Sequence, residues 1–300
     1  MPSHGLNVFS GPDSIRQFLD PENSPATPLV ELPSSINPHR QDAVRIFAKL
    51  CYLTPLLNIK HLPVFNMLRE AEKSGRLDGV HTIVENSSGN AGFSLAVMAR
   101  TFGIRRVIAY VPFDIAPGKL DMLRLVGVQP ELTRGAPDEP SGIQQAKEAG
   151  SKPGFFSLSQ YENENNPGAY EKWLAPEIWR QTEGKITVFS AGLGATGTIL
   201  GAARYFRGCP REVTVVSAMC APAEAVPGRP FRSQTQGSRL RLGFRSSRDH
   251  GSQGKSLLQG EPGALSIGDH GRPQLRLRAG RSISISRVAS IQLRTRPAAK

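Results

Sequence analysis

The chain has 300 residues, room for one large domain or two smaller ones, with 24 prolines, 30 glycines and a formal net charge of +12. Such an excess ordinarily points to nucleic acid or a membrane surface, but residues 1–227 hold 22 basic and 22 acidic side chains, while residues 228–300 hold 15 and 3. A basic groove in the neutral part is thereby excluded, and three cysteines (Cys51, Cys209, Cys220) without pairing pattern or C-x-x-C spacing exclude a disulfide framework and thiol metal chemistry.

Residues 1–26 are polar, with Pro12, Pro21 and Pro25, and read as an extended lead-in with one short helix near Ser14–Leu19. Thr27-Pro28-Leu29-Val30-Glu31-Leu32 is a turn running into a short strand. Alternation from Val44 to Leu50 predicts a half-buried strand that feeds Leu57-Asn58-Ile59-Lys60-His61. Pro63 suits a first helical turn, Val64, Met67, Leu68 and Ala71 keep helical spacing, and Gly75 is a stop. Thr82–Glu85 is a strand ending in Ser87-Ser88-Gly89-Asn90-Ala91-Gly92, and Phe93–Phe102 is a helix. Arg106–Val111 and Val128–Thr133 are strands around a helix over Lys119–Val126. A helix over Ser141–Ala149 precedes the strand Phe155–Leu158, and one long helix is expected over Pro167–Gln181. Ile186–Ser190 is a strand entering Gly192-Leu193-Gly194-Ala195-Thr196-Gly197. Thr198–Tyr205 is the helix after it, and Val213–Ser217 is the last convincing strand.

Strands alternating with helices predict an α/β fold, parallel sheets with helices on both faces and a ligand at the carboxyl ends of the strands. After about Pro227, Arg, Ser, Gly and Gln dominate, and low hydrophobicity with high charge predicts a disordered tail. That tail has few aromatics and scattered charges, so it is not read as a nucleic-acid arm. No apolar run approaches the about 20 residues of a membrane span, and Met1–Gly5 begins no secretory signal. A cytoplasmic protein with no nucleic-acid and no membrane partner is the expectation.

Three segments bear on chemistry. A strand, a glycine turn and a helix start at Gly192–Gly197 gather backbone N–H groups at the positive end of a helix dipole, which suits a phosphate; an ordinary tight connection would look the same. The donors of Ser87–Gly92 could hold a carboxylate or could be helix caps. Lys60 is uninformative alone, but buried with a lowered pKa it would offer a free amine to an aldehyde. His61 beside it has no second ligand-type neighbour, and no metal is expected.

Taken together the segments are specific. The chain resembles the cysteine synthase and cystathionine β-synthase family, pyridoxal-phosphate enzymes of the tryptophan-synthase-β type (fold type II). Thr27-Pro28-Leu29-Val30 matches its T-P-L-V strand, and Lys60 is followed by Asn66-Met67-Leu68, then Ala71-Glu72 and Gly75, like its N-M-I-x-x-A-E-x-x-G helix. Ser87–Gly92 is similar to T-S-G-N-T-G, with Lys60 and Asn90 thirty residues apart as in the family. Gln160-Tyr161, Asn166-Pro167, Pro176-Glu177-Ile178-Trp179 and the Gly192–Gly197 phosphate loop follow in order over roughly residues 25–222.

The resemblance implies two three-layer α/β domains with mostly parallel sheets and pyridoxal 5'-phosphate in the cleft between them, with Lys60 as Schiff-base lysine and proton-transferring base. It implies that Asn90 contacts the ring oxygen, that Ser87, Ser88, Gly89 and Gln160 hold the amino-acid carboxylate, and that Gly192, Gly194, Ala195 and Thr196 bind the phosphate. The larger domain would comprise 27–64 with 168–227, and the smaller 65–167, with 1–26 as lead-in and 228–300 as a basic tail. The implied reaction is β-replacement on a serine-type amino acid such as O-acetylserine, with sulfide or a thiol, giving cysteine or a relative in a homodimer. β-Elimination of the serine or threonine dehydratase kind and an inactive family member are the alternatives.

Four departures accompany the match. Ile59 and His61-Leu62 flank the lysine in place of V-K-D-R, Ala91 replaces a threonine, and Leu193 and Ala195 alter the phosphate loop. In residues 228–300 nothing matches the family's late G-x-S-S/T-G segment, which serves the pyridine nitrogen. Gly237-Ser238 and Gly251-Ser252 stand isolated there, as a divergent or frame-shifted tail would leave them.

Overall fold

The computed structural model describes residues 7–134 and 139–220, together with five short strands between residues 243 and 292. It divides into two compact units, Met1–Gln181 and Thr182–Lys300.

In the first unit, β3 (Thr82–Asn86), β4 (Arg106–Pro112), β5 (Val128–Thr133) and β6 (Phe155–Ser157) form a wholly parallel sheet in the order β5-β4-β3-β6. Such a sheet needs both faces covered, because its connections are helical crossovers. The side chains alternate accordingly. Ile83, Val107 and Ala109 join the main core with Leu68 of α2 (His61–Lys73), Leu95 and Met98 of α3 (Asn90–Ala99) and Leu123 of α4 (Pro117–Leu125). Val84 and Ile108 point the other way, onto Ala149 of α5 (Gly142–Gly150).

Gly150 shows how closely α5 lies on the sheet. A Cβ there would stand 2.6 Å from the Ser157 backbone nitrogen and 2.5 Å from its Cβ, while β6 is held in ladder with β3. Gly150→Ala is expected to cost about 1–3 kcal/mol, the usual range for overpacking. It would be read as a lower urea midpoint at unchanged slope; an unchanged midpoint would mean that β6 shifts freely.

The N-terminal part is clamped to this core. α1 (Ser14–Leu19) follows the expected bounds, and Arg16 pairs with Glu72 and lies 4.1 Å from the Phe102 ring centroid. Arg69, buried, meets Glu22 at 3.0 Å and lies over Trp173 at 5.1 Å. β1 (Leu29–Glu31) and β2 (Phe47–Lys49) pair antiparallel. From β2, Lys49 Nζ donates to Glu177, to Thr27 O at 2.6 Å and to Gln181 Oε1 at 2.8 Å. The threonine of the T-P-L-V segment and the glutamate of P-E-I-W, far apart in sequence, are thus joined by one ammonium.

The long helix expected over Pro167–Gln181 is not continuous. It begins as α6 (Asn165–Ala169), widens into a π-helical turn over Tyr170–Leu174, and resumes as α7 (Ala175–Gln181). Pro176 is the physical reason. It has no N–H for the residue 172 carbonyl and its ring would press on that carbonyl in an α-helix, which a wider turn relieves.

In the second unit, β7 (Val188–Gly192) runs parallel to β8 (Thr214–Cys220), with α8 (Gly197–Arg207) between them in sequence. Phe189 and Phe206 pack with centroids 5.7 Å apart. β8 is not the last strand. The sheet continues in the order β7-β8-β13-β10-β9, through β9 (Gly243–Phe244), β10 (Ala264–Leu265) and β13 (Val288–Gln292), and β11 (Gln274–Arg276) pairs with β12 (Ser282–Ser284). The open edge of β8 offers a row of unpaired N–H and C=O groups, which β13 takes up antiparallel. The remaining residues expected to form the tail, including Gly237-Ser238 and Gly251-Ser252, lie outside the described residues.

Candidate active site

Lys60 is the residue capping the start of α2. The chain reaches it through a turn in which Leu57 takes a left-handed φ of +56°, with Leu57 N–H on Thr54 O at 2.8 Å. Asn58 is the hub. Its Oδ1 accepts from Lys60 N–H at 2.9 Å and from Ser94 Oγ at 3.2 Å, its Nδ2 donates to Leu56 O at 2.7 Å, and its carbonyl accepts from Thr54 Oγ1 at 2.9 Å. Asn58, Thr54 and Ser94 are all buried. Ser94 lies one turn into α3, the helix that begins at Asn90, so the lysine segment and the Ser87–Gly92 loop are joined by side chains. Asn58→Ala would strand the Lys60 amide and the Ser94 hydroxyl. A loss of about 2 kcal/mol is expected, in the range for buried donors left without partners; chemical denaturation would measure it, and an unchanged stability would remove Asn58 from this role.

The Lys60 ammonium is disfavoured. Burial lowers its pKa, with no charged side chain to offset the loss of water, and no carboxylate among the described residues forms an ion pair with it. A lysine so placed is shifted toward its free amine. Beside it His61 is 1% exposed with neither ring nitrogen hydrogen-bonded; burial pushes it down to about 4 against a weaker pull from the Leu19 backbone. Burial raises the Cys51 thiol to about 11, which disfavours its thiolate.

Ser87 is buried, and its Oγ accepts from Gly92 N–H at 2.9 Å, so its hydroxyl caps the start of α3. Ser88 and Gly89 are half-buried, and Asn90 is exposed in the first turn. Ala91 is buried in the core, where the threonine hydroxyl of the family motif would need a partner. Gln160 is buried, its Nε2 donates to Asn86 O at 2.9 Å, and its carbonyl accepts from Asn166 Nδ2 at 2.7 Å. Asn66 of α2 donates to Asn165 O at 2.8 Å. The structure therefore brings Lys60, Ser87–Gly92, Gln160 and Asn166-Pro167 into one connected framework within the first unit.

Sequence reasoning missed two residues of that framework: Asn58 and Ser94. Asn58 had a visible signal, an asparagine two residues before the residue that caps a helix, where side chains bond local backbone. Ser94 had none.

The glycine turn belongs to the second unit. Gly192 ends β7, Gly194 is exposed, Ala195 is buried, and Thr196 caps the start of α8 with φ +61°. Ala195 keeps a negative φ, so its Cβ is accommodated, and the left-handed residue is Thr196 instead. A Cβ on Gly192 or Gly194 would meet nothing within 4 Å. The first amides of α8 have no intrahelical acceptor; only that of Gly197 turns back, onto Ala195 O at 2.8 Å. Open space over bare backbone at a helix start fits a phosphate, and an unpaired, half-buried lysine fits an aldehyde. Both parts of the donor set fit pyridoxal phosphate.

A parallel α/β framework, a lysine segment of this kind in the first unit and a glycine turn of this kind in the second are each what a pyridoxal-phosphate protein of fold type II carries. A sequence profile described as "Pyridoxal-phosphate dependent enzyme" matches residues 23–250, and the chain belongs to that family, on its cysteine synthase branch. The match runs past residue 222, where the motifs stop. Cysteine synthase A of Escherichia coli (strain K12) is 33% identical over 201 residues, 66% of this chain and 60% of that protein. Cysteine synthase of Staphylococcus aureus (strain N315) is 31% identical over 237 residues, 77% of this chain and 72% of that one. Among solved structures, cysteine synthase from Entamoeba histolytica superposes with a TM-score of 0.59 at 28% identity, covering 72% of this chain and 62% of that one. The O-acetylserine dependent cystathionine beta-synthase from Helicobacter pylori gives 0.57 at 28%, covering 66% and 64%. The chain spans about 60% of the length of the Escherichia coli relative. Among the described residues no helix is long and apolar enough to cross a membrane.

Proposed function

We propose that the protein catalyses pyridoxal-phosphate-dependent β-replacement on a serine-type amino acid, O-acetylserine or a close relative, with sulfide or a thiol as nucleophile. The observation that carries this is Lys60: a half-buried amine whose charge is disfavoured by burial, fixed by Asn58 to the helix that opens the Ser87–Gly92 loop.

In this reading Lys60 holds the cofactor through Nζ, Asn90 contacts its ring oxygen, and Gly192, Gly194, Ala195 and Thr196 offer the phosphate their amides and the Thr196 hydroxyl. Pyridoxal phosphate, when bound, draws electrons from the substrate α-carbon. Ser88, Gly89 and Gln160 orient the amino-acid carboxylate, while Ser87, engaged with Gly92, keeps the loop in shape. Lys60 Nζ, released by the incoming amino acid, takes the α-proton and later returns one to the same carbon. Attack on the cofactor aldehyde and uptake of the α-proton both call for the free amine, toward which burial shifts Lys60.

The test is direct. Protein loaded with pyridoxal phosphate is reduced with borohydride and digested, and a label on the Lys60 peptide is expected. O-Acetylserine with sulfide should then give cysteine. A label elsewhere, or none on folded protein, would sink the reading; pyruvate in place of cysteine would turn it to β-elimination.

A further inference from the structure

Glu85 stands at the carboxyl end of β3, one residue before the strand opens into the substrate loop. Its side chain is on the same face of the sheet as Ile83, toward α3, and is 3% exposed. Oε1 accepts from Asn86 N–H at 3.1 Å, and Oε2 is buried without a hydrogen-bond partner. Asn86 O in turn receives the Gln160 side-chain amide at 2.9 Å. One residue, Asn86, therefore joins Glu85 through its N–H and Gln160 through its carbonyl, on the two peptide units that lead into the loop, and a carboxyl group is buried beneath it.

We propose that Glu85 is a positioning residue for the amino-acid carboxylate: its uncharged carboxyl holds Asn86 and Gln160 in the register that receives the anion, and loss of its proton expels that anion. This deepens the reading of the Ser87–Gly92 loop as the carboxylate site and rests on it. A buried carboxylate without a cation would repel a second carboxylate through a medium of low polarity, where charges act strongly. The elements around β3 bring no cation to it. α3 has no charged residue between Asn90 and Ala99, and β6 has none. On β4, Arg106 is bonded to Gln129 at the far end, and Tyr110 has its hydroxyl raised chiefly by burial. α5 lies on the opposite face, its Lys147 paired with Glu162 at 2.6 Å and its Glu148 bonded to Gln144 at 3.0 Å. Tyr161, after β6, is raised by burial and then by the Glu85 charge itself. Burial pushes the Glu85 carboxyl up to about 8, outweighing the Gln160, Asn86 and Ser159 amides that favour its charge. The acid is thus neutral below about pH 8 and ionises above it.

The cofactor-loaded enzyme tests this between pH 7 and 9, through KM for O-acetylserine and through L-serine binding followed by cofactor absorption. In the wild type both constants should rise about tenfold relative to Glu85→Gln, with kcat little changed, since a full charge near the anion is worth that much. The glutamine, which cannot ionise, should track only the titration of the amino acid itself. Parallel profiles in the two proteins, or a wild-type KM flat from pH 7 to 9, would overturn the role of Glu85 and leave the loop reading standing. A wild type that binds no amino acid would overturn the loop reading and the proposal with it.

Discussion

Lys60→Ala is expected to abolish the borohydride-fixed label and lower the β-replacement rate about 10²–10⁴-fold, the usual weight of a proton-transferring side chain. The fold should survive. Lys60 Nζ makes no hydrogen bond or ion pair among the described residues, while its backbone is held by Asn58 and by Val64 N–H on its carbonyl at 3.1 Å. Stability should even rise at neutral pH. The folded pKa is lowered from 10.5 by burial, so the unfolded chain binds the lysine proton more tightly and wild-type folding bears that cost. A variant that is inactive and no less stable places Lys60 in the chemistry. A variant with the wild-type rate would exclude it.

As pH falls below about 6.5, His61 should contribute a loss of stability before ordinary carboxylates respond. Its folded pKa of about 4 lies below the 6.5 of the unfolded chain. The unfolded state therefore binds more protons between these values, and stability falls as pH drops through 6.5 toward 4. The full effect is about 3 kcal/mol at 1.36 kcal/mol per unit. Glu85 slopes the other way, since its folded value of about 8 lies above its unfolded 4.5 and stability is gained as pH falls across that span. The two oppose each other near pH 5–6, so the wild-type profile alone would mislead. The difference between wild type and His61→Leu isolates the histidine: the leucine protein should gain about 3 kcal/mol on the wild type between pH 7.5 and 4. Equal loss in both proteins would show that His61 is not held neutral.

The parallel sheet of the first unit was legible because its strands are short apolar runs and its helices keep a clear period. The motifs at Lys60, Asn90 and Gly192–Gly197 were legible because their order and spacing survive the substitutions. What escaped depends on contacts that sequence order hides. The π-helical turn needs Pro176 to be read as part of a helix, not as its edge. The pairing of β13 with β8 spans many residues of undistinguished composition. Ser94 reads as one small polar residue on an apolar helix, and its bond to Asn58, 36 residues earlier, leaves no local trace. Glu85 reads as the polar end of a strand, and only its burial marks it as a carboxyl pushed up to about 8.

The Asn58–Ser94 contact couples the lysine segment thermodynamically to the helix that follows the Ser87–Gly92 loop. Substitutions at two residues sharing one buried hydrogen bond do not add, because the second removes a partner already stranded by the first. In the proposed reading, a change that reshapes the loop through α3 would be felt at the Lys60 backbone through Asn58, and substrate preference and proton transfer would be coupled through that contact.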